Sequence, residues 1–171
     1  MLLKHQTALI TVADRGIGRA AALRLAQEGT NVSVTGRTKS LICDVTAENT
    51  ALGWEARAVS LDVTSERQLN SAIEDILSIC GKIDILVNNA DIIQYDRPVW
   101  DITVKEWDYT MVVNTRGTFL CCRAVIPHMM RTKSGVVINI CSSSDKSFCA
   151  DYGPYVASKW AQAGHTTSLE R

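Results

Sequence analysis

Short β-branched runs alternate with longer amphipathic stretches along this 171-residue chain, and that alternation leaves few folds open. It is the pattern of βαβ units, which build a parallel sheet with helices on both faces. Thr7 to Ala13 (TALITVA) reads as a first strand, apolar nearly throughout, as a strand buried on both faces is. A helix is expected from about Ile17 to Glu28, with Ala21 and Leu25 on one face and Gly29 as its stop. Asn31 to Thr35, Ala56 to Leu61, Ile83 to Asn88 and Gly135 to Cys141 read as further strands. Ser40 to Leu52 is a weaker helix, because Val45, Thr46, Asn49 and Thr50 are poor helix formers. The capping box Ser65-x-x-Gln68 opens a stronger helix that runs to about Cys80 and ends at Gly81. Thr103-x-x-Glu106 caps a long helix reaching about Arg131, and a last helix starts near Pro154. No repeat or linker interrupts the series. Residues 1–171 therefore read as one doubly wound, Rossmann-type α/β domain with strand order 3-2-1-4-5.

The first strand-to-helix turn is Thr11-Val12-Ala13-Asp14-Arg15-Gly16-Ile17-Gly18, and Gly16, Gly18 and Ala21 fit Gly-x-Gly-x-x-Ala. Glycine there lets backbone approach a pyrophosphate, and the helix amino terminus offers unpaired N–H groups to it. A plain tight turn is the rival reading, but the strand before and the helix after favour a dinucleotide. Gly36 and Arg37 stand at the end of the second strand. An NAD-binding domain places an acid here against the ribose 2′-hydroxyl, whereas an arginine accommodates a 2′-phosphate. No acid occupies that point of the sequence, and Arg15 adds a second cation. NADP(H) is favoured over NAD(H), unless both arginines are simply solvated.

Tyr155-Val156-Ala157-Ser158-Lys159 places a phenol and an ammonium at i and i+4, on one face of a helix. A neighbouring positive charge favours phenolate and lowers a tyrosine pKa from its reference of about 10. The phenol then serves as a proton donor or acceptor near neutral pH. The same spacing occurs on ordinary surface helices. Here it follows a strand ending Asn139-Ile140-Cys141-Ser142-Ser143-Ser144, at the carboxyl edge where such sheets bind ligands.

Charge narrows the classes of partner. Lys plus Arg (18) balance Asp plus Glu (18), so no net field favours nucleic acid or membrane. No apolar run is long enough to cross a bilayer, and the first residues have no signal-peptide layout. The six cysteines form no Cys-x-x-Cys pair and no metal-ligand spacing with the three histidines, so no metal is expected and the setting reads as reducing and cytoplasmic. Cys121-Cys122, mid-helix, suits core packing better than redox chemistry. Trp100 and Trp107 flank a helix start, where they either pack or border a pocket.

Taken together, these segments resemble the short-chain dehydrogenase/reductase family, in its branch with a single small catalytic domain. The glycine turn, Leu61-Asp62-Val63, Asp84 to Ala90 (DILVNNA), Asn114-Thr115-Arg116-Gly117, the serine strand end and Tyr155 to Lys159 come in the family's order. The resemblance implies hydride transfer between NADP(H) and a carbonyl or secondary alcohol. Tyr155 would be the acid/base, and Lys159 would lower its pKa and hold the nicotinamide ribose. Ser142 would orient the substrate carbonyl, and Asn114 would anchor a water of the proton relay. Thr11, Asp14, Arg15, Gly16, Ile17 and Gly18 would form the cofactor turn, with Arg37 beside the 2′-phosphate. Asp62 and Val63 would flank the adenine, and Asn88, Asn89 and Ala90 would line the groove. Tyr155 and Lys159 count as cofactor contacts too. The long helix from Thr103 and the last helix resemble the family's oligomer-forming pair, which implies a homo-oligomer.

Three departures stand out. Val12 stands where the family's turn begins with glycine, and Asp91 where Asn-Asn-Ala is followed by glycine. A non-glycine residue costs energy wherever φ is positive, most of all a β-branched one. Asp91 adds negative charge at the edge of the fourth strand. Family members also continue beyond the point matching Arg171, through segments that close the substrate pocket. The chain is therefore expected to be a C-terminally incomplete member whose substrate is not readable. The alternative is a non-catalytic scaffold that binds only a nucleotide or a partner.

Overall fold

The computed structural model describes residues 1–93, 97–143 and 150–169. Five strands, β1 (Thr7–Ile10), β2 (Asn31–Gly36), β3 (Ala56–Ser60), β4 (Ile85–Asn88) and β5 (Val136–Asn139), pair in parallel in the order β3-β2-β1-β4-β5. The doubly wound order read from the sequence is the order observed. The helices are α1 (Gly16–Gln27), α2 (Lys39–Ala51), α3 (Glu66–Cys80), α4 (Val104–Thr110), α5 (Gly117–Thr132) and α6 (Gly153–Ser168).

Successive side chains of a strand point to opposite faces, and the two central strands fill both. Ala8, Ile10, Ile85 and Val87 join Val32 and Val34 of β2 in a core with Ala22 and Ala26 of α1 and Ile42 and Val45 of α2. Leu9 and Leu86 point the other way, into a core with Leu69, Ile73 and Ile76 of α3 and Cys121, Cys122 and Val125 of α5. Two-sided burial explains why these runs show no polar alternation.

Local departures from the sequence reading have physical causes. β1 stops at Ile10 rather than Ala13, because Val12 takes a φ of +51°, outside extended backbone. α2 is a full 13-residue helix despite weak propensities. Its Ile42, Val45 and Asn49 are buried, and Glu48 pairs with Arg19 of α1, so tertiary contacts outweigh propensity. The box at Ser65 is half made: Ser65 accepts from the Gln68 N–H, but the Gln68 side chain accepts from the N–H of Asp62. Thr103 and Glu106 make the full reciprocal box. The long helix that follows is not continuous, since a π turn, Met111–Arg116, separates α4 from α5. Gly117 sits against Val63, where a Cβ would come within 2.9 Å of Val63 Cγ2. The π turn carries Asn114, and such turns recur at functional sites.

Candidate active site

The β1–α1 turn is shaped by contacts that admit no side chain. A Cβ on Gly18 would lie 2.3 Å from the Val12 carbonyl oxygen and 2.5 Å from Asn89 Nδ2, and Gly16 has a φ of +54°. Arg15 precedes α1 without a side-chain cap bond, so its own side chain does not take up the N–H groups of the helix amino terminus. A cradle of this kind fits a phosphate group. Thr11 and Asn89, expected at the cofactor, are engaged in locking the turn to β4. Thr11 Oγ1 accepts from the backbone N–H groups of Asn89 and Ala90, both at 2.9 Å. Asn89 Nδ2 donates to the carbonyls of Thr11 (3.1 Å) and Val12 (2.9 Å). The first of these two residues is wholly buried, so it shapes the groove from beneath.

Asp14, Arg15, Arg37, Asp62, Val63 and Ala90 line one groove together with Val12 and Asp91. Ile17, at the start of α1, is exposed. Asp62 Oδ1 accepts from the N–H and hydroxyl of Thr64, at 2.9 and 2.8 Å. Arg37 is exposed and donates from Nη1 to the Tyr109 hydroxyl at 3.4 Å. The sequence shows no acid at the end of β2, but the fold supplies one. The Asp14 carboxyl carbon lies 3.7 Å from where a Cβ on Gly36 would stand. Asp14 Oδ1 is buried and has no hydrogen-bond partner among the described residues. Arg37 therefore shares its surroundings with Asp14 and Asp62, whose charges help hold it protonated after the larger effect of Tyr109.

α6 opens with Gly153 and Pro154 and carries Tyr155 and Lys159 on successive turns. Lys159 Nζ lies 5.4 Å from the centroid of the Tyr155 ring. The lysine is 1% exposed. Its ammonium donates to the carbonyl of Ile140 at 3.0 Å and pairs with Asp91 Oδ2 at 3.2 Å. The Tyr155 hydroxyl lies near enough to the Asp91 carboxyl to help pull its pKa down. Burial pushes the Asp91 carboxyl up from the usual range, with Lys159 and Tyr155 pulling against it. Ser142 follows β5 at the same edge of the sheet, while Ser144 lies outside the described residues.

Asn114 ties this region together. Its Oδ1 accepts from the N–H of Ile92 at 2.8 Å, and its Nδ2 donates to the Ile92 carbonyl (2.9 Å) and to Ser158 Oγ (3.0 Å). Its own carbonyl accepts from Gln162 Nε2 at 2.8 Å. The side chain expected to anchor a water thus clasps the loop behind Asp91 to the helix of Tyr155 and Lys159. Sequence reasoning missed Ser158 and Gln162. With Thr166, which accepts from Asn139 Nδ2 at 2.9 Å, they form a polar stripe at i, i+4 and i+8 on α6. That spacing, on a helix expected to pack, was the available signal. Cys121 and Cys122 are core residues as read, and burial pushes the Cys122 thiol up to about 11. Trp100 is 80% exposed and does not pack.

A family model described as short chain dehydrogenase matches residues 6–171. The 3-oxoacyl-(acyl-carrier-protein) reductase of Staphylococcus epidermidis is 36% identical over 168 residues, covering 98% of this chain and 68% of that protein. Hydroxysteroid dehydrogenase-like protein 2 of Mus musculus is 39% identical over 141 residues, 78% of this chain and 29% of the relative. A metagenomic short-chain oxidoreductase solved in complex with NADP superposes with a TM-score of 0.94 at 35% identity, covering 98% of this chain and 76% of the other. The sheet order agrees with these matches: the chain belongs to the short-chain dehydrogenase/reductase family.

Proposed function

We propose that the chain is the nucleotide-binding and proton-transferring part of an NADP(H)-dependent oxidoreductase acting on a carbonyl or secondary alcohol. One observation carries the reading. Tyr155 and the buried Lys159 stand at the carboxyl ends of β4 and β5, the edge at which the glycine turn after β1 also opens. When bound, the nicotinamide supplies or accepts the hydride. Tyr155 gives its hydroxyl proton to the developing alkoxide, or takes it back in the reverse direction, while Ser142 holds the same oxygen. Donors fixed in place before reaction stabilise that charge without reorganisation. The glycine cradle and Arg37 would hold the phosphates. A 3-oxoacyl thioester, a sugar or a small ketone each suits this chemistry. The described cysteines are free thiols, which fits a reducing, cytoplasmic setting, and no helix among the described residues is long and apolar enough to cross a membrane.

Separate titrations with NADPH and NADH test the cofactor. NADPH should bind about tenfold tighter, the scale of one charge-assisted hydrogen bond, and Arg37→Asp should narrow or reverse the difference. Equal affinities in the unmodified chain would remove the basis for NADP(H).

Two observations favour a second reading, a scaffold without catalysis. Val12 sits at positive φ, and Asp91 occupies Lys159. Left-handed backbone costs an L-residue roughly 1–2 kcal/mol, which for Val12 is partly offset by its packing on the core. Val12→Gly should therefore change stability little but tighten NADPH binding severalfold if the strain distorts the cradle. Unchanged affinity in calorimetry would mean that the turn has adapted.

Self-association belongs to the same proposal. Among the described residues β5 is the outermost strand on its side of the sheet and carries no proline or charge, with Val136 and Ile138 54% and 42% exposed. Beside it opens an apolar groove of about 550 Å³ lined by Ile126, Met129, Met130, Val137 and Leu169. Unpaired edges template pairing with another chain. Sedimentation should show association that Ile138→Lys weakens; a monomer at all concentrations would contradict this.

A further inference from the structure

We propose that Asp91 is a placeholder for the nicotinamide ribose diol. In this role it is a positioning residue whose carboxylate holds Lys159 and Tyr155 in register and must leave before the nucleotide can use them. The inference rests on the oxidoreductase reading above. An ammonium has three donors. On Lys159, one goes to the Ile140 carbonyl and a second to Asp91 Oδ2. The Tyr155 hydroxyl lies near the same carboxylate. Lys159, assigned to the ribose, is thus held by a single carboxylate oxygen, with the Tyr155 phenol close beside it. Asp91 also lines the groove that contains Val12, Arg15, Arg37 and Asp62, so a nucleotide running from Arg37 to Lys159 crosses it.

The seat is a poor one, which is what a displaceable group needs. Asp91 Oδ1 is buried without a hydrogen-bond partner among the described residues, and burial raises the carboxyl pKa. A buried acceptor left unmade is costly, so rotation of the side chain toward solvent is favoured once hydroxyls replace it at Lys159. The backbone need not move. Asn114 holds both peptide groups of Ile92, the next residue, so the loop stays in place while the side chain swings. Asp91 then lowers nucleotide affinity by the fraction of time its carboxylate sits on Lys159.

The test compares the unmodified chain with Asp91→Asn and Asp91→Gly, using NADPH and adenosine 2′,5′-bisphosphate, which lacks the nicotinamide ribose. Without nucleotide, both variants should melt lower, because the ion pair is gone. Both should nonetheless bind NADPH about tenfold tighter, as expected when an occluded state populated near nine-tenths is removed. Affinity for the bisphosphate should change less than twofold, and either variant alone suffices if the other fails to fold. Weaker or equal NADPH binding would overturn the proposal, as would an equal gain for the bisphosphate, which would make Asp91 a general charge in the groove. NADPH binding by none of the three proteins would overturn the oxidoreductase reading and this inference together.

Discussion

Tyr155→Phe should lower turnover by roughly a thousandfold, within the range of general acid–base contributions, and leave NADPH affinity within about twofold. The assay is consumption of reduced nicotinamide, in a chain extended at its carboxyl end by the corresponding segment of a family member. The substitution removes the phenol hydroxyl that α6 presents beside Lys159 and leaves the ring and the ammonium in place. A split between turnover and binding is what a proton carrier produces. Substantial residual activity would assign the proton to another group. A large loss of affinity would make the phenol a cofactor holder first.

Lys159→Ala should be the most destabilising single change at the site, by about 3 kcal/mol, the scale of breaking a buried ion pair from one side. For a chain of this length the melting temperature should fall by roughly 6–12 °C. Among the described residues Lys159 is the largest wholly buried polar side chain, and its loss leaves the Asp91 carboxylate without its cation. The pH dependence has a definite sign. A carboxyl whose folded pKa lies above its unfolded value penalises the folded state above that folded pKa, and the penalty is relieved as pH falls through it. Burial places Asp91 in this class, and removing Lys159 raises it further. The deficit of Lys159→Ala should therefore be largest at neutral pH and shrink as pH falls toward about 4, the ordinary carboxyl range. Adding Asp91→Asn should recover much of the stability, and a double-mutant cycle would measure the coupling. Additive losses would mean that the two groups do not interact. NADPH binding should be weakened by Lys159→Ala in either background.

The succession of elements and the sheet order were legible because parallel strands buried on both faces leave unbroken apolar runs such as TALI and ILVN. The end of β1 was not, because Val12 is by type a strand former while its place in the turn demands positive φ. The π turn was hidden for a related reason. The helical pattern continues on both sides of Met111–Arg116, and one extra residue per turn barely disturbs it. At the site, the sequence placed Tyr155 beside Lys159 because they are four residues apart on one helix. It flagged Asp91 only as a misplaced charge, since its contact with Lys159 joins a loop to a helix far away in the chain. Asp14 is similar: read as part of the glycine turn, its carboxyl lies against Gly36 at the end of β2, the point that looked empty of acid.

The central claim is that one nucleotide spans the groove from the glycine turn after β1 to the amino-terminal half of α6. Amide hydrogen exchange with and without saturating NADPH tests this most directly. The account predicts slowed exchange in both segments, residues 11–18 and 155–159. Unchanged exchange in both would contradict it, and protection of the turn alone would remove the nicotinamide from Tyr155.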